Sequence, residues 1–228
     1  MRISELARLS DSTPATIKFY VREGLLAPGE RLGANQSAYD DTHLARVRLI
    51  RALVEVGGLS IAGTRAVLAA LDDDGLALGY VLEAASQALP VSVPPSPTGE
   101  TAGRQRIDDL VADRGWHVGP GNAGRVVAAR VLDDYRALGR DDLTATLEVY
   151  ADAAELVAVA DLGAVAAATS RAAMTETVVV GTVLGDVLFA GLRRMAHEEA
   201  AMRRFPVPGS TPAPPAAPDT DPTEEPSS

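Results

Sequence analysis

Apolar residues along the first third of the chain recur at intervals of three and four, the spacing of one helix face, and the alternation expected of strands is scarce throughout. Leu6 and Leu9 follow Ser4 in a first run. A second run begins where Thr13 precedes Pro14, a capping hydroxyl followed by proline in the first helical turn, and should end at Gly24. Leu44, Val47, Ile50 and Leu53 form one stripe of a third helix over His43–Val56, with Arg46, Arg48 and Arg51 on its other faces. Gly57-Gly58 stops it, Ser60 caps a fourth, and Ile61, Val67, Leu68 and Leu71 mark that helix's buried side. A short helix over 76–89 runs into Pro90 and the proline-rich joint PVSVPPSPTGE, which should lie extended. Helical patterns resume over 101–114, 122–139 and 141–168, then from Arg171 to Arg204. The pattern predicts an all-α chain in two folded parts, 1–71 and a helical bundle over 101–205, joined by a short helix and linker at 72–100. The stretch 206–228 holds eight prolines, four acids and no base, a composition that predicts disorder.

Charge changes this picture in one respect. The net charge is -10, yet residues 1–71 carry nine Arg and Lys against seven Asp and Glu, so the acidic excess lies wholly in the remainder and the N-terminal part can approach phosphates. Cysteine is absent, which excludes disulfides, thiolate metal sites and thiol redox chemistry and fits a reducing, cytoplasmic setting. His43, His117 and His197 are scattered without metal-ligand spacing, and no nucleophile elbow or phosphate loop occurs, so neither metal, cofactor nor enzymatic activity is expected. The N-terminus lacks the apolar core of a signal peptide. The most apolar run, Val178–Leu192, is interrupted by Asp186 and shorter than the roughly 20 residues of a membrane span, so a buried helix is expected and no membrane partner.

Two short helices around the polar turn Leu9-Ser10-Asp11-Ser12 match a helix-turn-helix, whose second helix enters a major groove. On that helix Thr13, Thr16 and Tyr20 share one face, Ile17, Val21 and Leu25 another. Lys18, the single lysine of the chain, lies beside the hydroxyls, which can meet phosphates and base edges. The plain alternative is an exposed helix face on which Tyr20 merely covers the core.

Several motifs, in order, resemble the N-terminal domain of MerR-family transcription regulators: Thr16-Ile17-Lys18-Phe19-Tyr20, Gly24-Leu25-Leu26, Arg31, Tyr39, Arg46-Val47-Arg48-Leu49-Ile50-Arg51 and Gly58-Leu59-Ser60-Ile61. The resemblance covers 1–71 and implies a winged helix-turn-helix, and so a small β wing, that binds an inverted-repeat promoter operator as a homodimer. It implies DNA contacts by Thr16, Lys18 and Tyr20 from the second helix, to which the shared helix face adds Thr13, by Arg31 and Tyr39 from the wing region, and by Arg46 or Arg48 from the third helix. Partners would be double-stranded promoter DNA and RNA polymerase, with an effector acting by DNA distortion. The chain departs from the family in its wing, Asn35-Gln36-Ser37-Ala38-Tyr39, which lacks a basic residue. It departs again where Pro90 ends the helix that should dimerise.

The rest of the chain matches no named effector domain. Gly119-Pro120-Gly121-Asn122-Ala123-Gly124 fits the dinucleotide fingerprint, but no buried strand precedes it and helices follow, so a loop with Asn122 as helix cap is expected. Trp116 reads as a core anchor or, with Tyr135 and Tyr150, as the lining of a pocket for a small organic effector. Gly181-x-x-x-Gly185 permits close helix approach at the centre of a bundle or in a subunit interface. The pairs Asp108-Asp109, Asp133-Asp134 and Asp141-Asp142 read as solvated surface. The reading from a different class is a protein-interaction module whose helix-turn-helix no longer reads DNA.

Overall fold

The computed structural model describes residues 1–33, 36–90 and 100–205. Helix α1 (Ile3–Leu9) is not capped by Ser4; its N-cap is Arg2, without a side-chain cap bond. Its start is held instead by the Met1 backbone, whose nitrogen donates to Tyr39 O at 2.5 Å and whose carbonyl accepts from Tyr39 N at 2.9 Å. Helix α2 (Pro14–Arg22) begins as its sequence predicts, Thr13 Oγ1 accepting from Thr16 N at 3.1 Å. Between them Asp11 takes φ 49°, a left-handed conformation that short polar residues tolerate, and Gly24, at φ 71°, turns the chain after α2.

Strands β1 (Glu30–Gly33) and β2 (Gln36–Ala38) form the wing, an antiparallel pair with Glu30 opposite Ala38, Arg31 opposite Ser37 and a register shift before Gly33. The wing residue Asn35 lies outside the described residues. Helix α3 (Asp41–Arg51) starts two residues before the expected His43, because Asp40 forms a capping box with His43, and runs into a wider π-helical turn at Ala52–Val56. Helix α4 (Ile61–Asp72) is capped by Ser60 as expected, and α5 (Leu78–Ala88) follows.

Beyond the linker, most of which lies outside the described residues, come α6 (Ala102–Asp113) and α7 (Ala123–Ala137). Asn122 caps α7 by accepting from Arg125 N, as the glycine loop predicted. The helix expected from residue 141 begins as a 3-10 turn, Asp141–Thr146, before α8 (Leu147–Ala166) and α9 (Arg171–Arg204). The proline-rich tail 206–228 is outside the described residues.

The chain divides into two units, Met1–Phe189 and Ala190–Ser228. The first contains two buried clusters. One joins Leu6, Ile17, Tyr20, Leu25, Val47, Ile50, Leu53 and Val67 to Val81 and Ala85 of α5 and to Val178, Val179 and Val183 of α9. The other is smaller, built from Ile107, Leu110, Ala129, Leu132 and Ala151 of α6, α7 and α8. The described residues of the second unit are the C-terminal part of α9 and Phe205, and none of them is buried.

Helix α9 revises the expectation for the apolar run around Val178–Leu192. The element has 34 residues, long and apolar enough to cross a membrane by length and composition, and only 22% of its most apolar window is buried. One face is buried: Val179 and Val183 are sealed in the first cluster, and each such valine contributes about 1.5–3 kcal/mol by leaving water.

Gly57 makes this docking possible. A Cβ there would meet Val183 Cγ1 at 2.2 Å and Leu53 O at 2.8 Å, so α9 lies where only glycine leaves room. Gly57→Ala should destabilise the protein by about 1–3 kcal/mol in urea unfolding. Adding Val183→Ala should give a double variant more stable than the sum of the single losses allows, because the second change opens the space that the first one fills.

Candidate nucleic-acid interface

The orientation of α2 is set from behind. Backbone carbonyls at the end of a helix have no intrahelical partner, and at the ends of α1 and α2 arginines supply one. Arg48 donates to Leu9 O at 3.2 Å and Arg51 to Ser10 O, while Arg46 Nε donates to Leu25 O at 3.1 Å and Arg65 Nε to Glu23 O at 3.0 Å. Three of these guanidinium groups also hold a carboxylate: Arg46 grips Asp72 with both terminal nitrogens, Arg51 binds Glu55 at 2.8 Å, and Arg65 binds Glu23 at 3.0 Å. The Arg51 guanidinium holds the Glu55 carboxyl below its ordinary range.

With its ends clamped, α2 buries Ile17 and Tyr20 against α1 and α3 and turns Ala15, Lys18 and Arg22 to solvent. This corrects the face assignment. The stripe of Thr13, Thr16 and Tyr20 is not the open side: Tyr20 is 4% exposed, and burial raises its hydroxyl pKa. Thr16 is half-buried, its hydroxyl 2.9 Å from that of Thr13, and Thr13 is exposed but engaged as the helix cap. Lys18 is exposed and has no ion pair among the described residues. The residues that sequence reasoning passed over are Arg22, whose side chain is 73% exposed, and half-buried Phe19, over whose ring Arg22 lies at 5.4 Å. Their signal was available, since Ala15, Lys18 and Arg22 are spaced by three and four; the hydroxyls of the neighbouring stripe drew attention from it.

On the wing, Arg31 is exposed on β1. Tyr39 is buried, edge-on to the His43 ring at 5.2 Å, and therefore braces the wing from inside. Arg46 is a strut between α2 and α4, and Arg48 is exposed with one donor spent on the α1 end. The base of the wing is pinned by Asp40. Its carboxylate accepts from the Thr42 hydroxyl at 2.6 Å and from His43 N at 3.1 Å, and these bonds, Thr42 first and the His43 side chain next, hold its pKa well below the carboxylate range. Together Lys18, Arg22 and Arg31, with hydroxyls at the start of α2, give a cationic, hydrogen-bonding surface on a helix-turn-helix and its wing.

The aromatic residues of the C-terminal part are not gathered in one place. Trp116 and Tyr135 pack on the second cluster, and Tyr150 is exposed. The Trp116 indole donates to Glu155 at 2.8 Å and its ring lies under Arg114, which also bonds Glu148 and Asp152. The aspartate pairs read as solvated surface are partly structural. Asp108 pairs with Arg125, and Asp133 accepts from Gly103 N at 2.8 Å, tying α6 to α7.

The profile of the MerR HTH family of regulatory proteins matches residues 1–71. The crystal structure of a candidate transcriptional regulator from Streptomyces coelicolor A3(2) is similar over 91% of this chain and 99% of that one, with 35% identity and a TM-score of 0.63. No curated protein matches the chain.

Two outcomes separate contact from strut. Lys18→Ala and Arg22→Ala should each weaken duplex binding and reduce the slope of log K against log salt by about one, with melting unchanged, whereas Arg46→Ala should cost about 1–2 kcal/mol of stability. For Asp40, a depressed pKa means stabilisation present above the ordinary carboxylate pKa and lost as pH falls through the depressed one. The melting-temperature gap between wild type and Asp40→Asn should therefore narrow progressively below about pH 4.

Proposed function

The chain belongs to the MerR family of helix-turn-helix regulators, and on that premise we propose that it binds an inverted-repeat promoter operator as a homodimer beside RNA polymerase in the cytoplasm. It is a DNA-binding transcription regulator; the operator symmetry, the partners and the residue roles are the proposal. The observation that carries it is the outward face of α2. In a chain of net charge -10, the sole lysine and Arg22 stand exposed on the second helix of a helix-turn-helix, Arg22 with a 3.7 Å contact to Glu23, while Arg46, Arg51 and Arg65 are tied to carboxylates and to carbonyls at helix ends. Lys18, Arg22 and Arg31 would meet phosphates, Thr13 and Thr16 would lie at the duplex where α2 enters the groove, and Arg48 would reach the backbone from α3. Tyr20 and Tyr39 would act by holding α2 and the wing in place.

Control by a small organic effector gains less support. The cavity lined by Thr101, Ile107, Arg125 and Ala129 measures about 30 Å³ and that lined by Leu82, Leu162, Val178 and Gly181 about 70 Å³, against the roughly 300 Å³ or more of an organic ligand site; an open cleft of about 540 Å³ lies in the N-terminal part, lined by Leu25, Pro28, His43, Arg46 and Asp72, and includes none of Trp116, Tyr135 and Tyr150. We therefore assign Trp116 and Tyr135 to the core.

Footprinting on the upstream region of the protein's own gene, across a salt series, tests the reading. Protection of two symmetric half-sites, with affinity falling steeply as salt rises, is expected. Binding that ignores sequence and salt would instead support an interaction module whose helix-turn-helix no longer reads DNA.

A further inference from the structure

Of the 21 basic residues in the chain all but Lys18 are arginines, and that one lysine stands on the outward face of α2. Either side chain supplies a positive charge, so charge alone does not account for the exception; reactivity separates them. A guanidinium stays protonated and is no nucleophile, whereas a lysine amine can lose a proton, attack a carbonyl and keep the acyl group as an amide. Acylation also erases the lysine charge. A reagent that acylates lysine therefore has a single target in this chain, and it is a position that the regulator reading places against DNA.

The surroundings of Lys18 leave its amine open. The side chain is exposed and has no ion pair among the described residues. One turn before it stands exposed Ala15, too small to cover it, and one turn after it exposed Arg22. Residues four apart on a helix are neighbours, with Cβ atoms about 5–6 Å apart. The Arg22 guanidinium is steadied there, 5.4 Å over the Phe19 ring and 3.7 Å from Glu23, yet its side chain is 73% exposed. Glu23 is shared with Arg65, which binds it at 3.0 Å.

The pair sets a nucleophile beside a planar fork that suits phosphate oxygens. A donor that carries both functions matches it, namely an acyl phosphate, whose phosphate would sit on Arg22 while its acyl carbon, one bridging oxygen away, faces the Lys18 amine. We propose that Lys18 is an acylation site that takes its acyl group from acyl phosphates, with Arg22 holding the donor. The ammonium gives one proton to water. The Nζ lone pair then bonds to the acyl carbon, the bond from that carbon to the bridging oxygen breaks, and phosphate leaves with the electron pair and takes a second proton from the nitrogen. A neutral amide remains, and no oxidant or reductant takes part. The site rests on the geometry of α2; its consequence, a weaker hold on a duplex through loss of one of the two outward cations of α2, rests on the regulator reading.

The full chain is treated with millimolar acetyl phosphate and the product located by peptide mass mapping. Lys18 should carry the acetyl group, and trypsin should no longer cut after it. Arg22→Ala should slow acetyl phosphate several-fold more than it slows the N-hydroxysuccinimide ester of acetate, a donor without phosphate, so the ratio of the two rates isolates the anchor from any change in the amine itself. The acetylated protein should bind duplex more weakly, with the slope of log K against log salt reduced by about one, while the same treatment should leave the slope of Lys18→Arg where it stood before. Absence of acetyl from Lys18, or a rate ratio in Arg22→Ala equal to that of wild type, overturns the proposal. So does a treated Lys18→Arg whose slope falls as the wild-type slope does. A chain acetylated at Lys18 with the help of Arg22 that never binds DNA would end the regulatory reading and leave the site standing; a DNA-binding chain that stays unmodified would do the reverse.

Discussion

The N-terminal part of the molecule depends on guanidinium groups that satisfy carbonyls at helix ends. Leu9 O and Ser10 O at the end of α1, and Glu23 O and Leu25 O after α2, all accept from arginines of α3 or α4. Each bond pairs a cation with the negative end of a helix dipole, and each spans two elements distant in sequence. Arginine suits the task where lysine would not, because its planar fork donates to a carbonyl and a carboxylate at once, as Arg46 does to Leu25 O and Asp72. The angle between α1 and α2 is thus fixed by side chains from outside the motif, and the open face of α2 follows from it.

This division of labour explains why the raw count of basic residues was a poor guide to the interface. Nine bases in the first 71 residues suggested a surface ready for phosphate, but Arg46, Arg51 and Arg65 are braces. Lysine at position 18 stands apart for the complementary reason. A single compact charge on a flexible stem braces nothing and can follow a phosphate. Outside these braces stand six exposed bases: Arg2 and Arg8 at α1, Lys18 and Arg22 on α2, Arg31 on the wing and Arg48 on α3.

Much of the local structure was legible in the residues. Thr13-Pro14, Ser60 and Asn122 cap helices where their chemistry said they would, since those signals act within four residues. Ser4 did not cap α1, because Met1 pairs with Tyr39 from the far side of the wing, a contact that no local pattern reports. The face of α2 was misjudged for a related reason. Thr16 and Tyr20 look like a polar stripe by residue type, yet Tyr20 places its ring in the core, and only the packing of α1 and α3 decides which stripe faces out. The engagement of Arg46 with Asp72 and of α9 with the first cluster were equally hidden, being pairings across long stretches of chain.

The meeting of Gly57 and Val183 carries a consequence for biosynthesis. The groove formed by Leu53, Leu59 and Val81 is closed by valines encoded much later in the message, so a nascent chain leaving the ribosome carries the helix-turn-helix well before it can finish its core. During that interval the groove is bare apolar surface, open to chaperones or to the wrong neighbour. The motif that reads outward therefore reaches its final rigidity only after the codons of α9 have been translated.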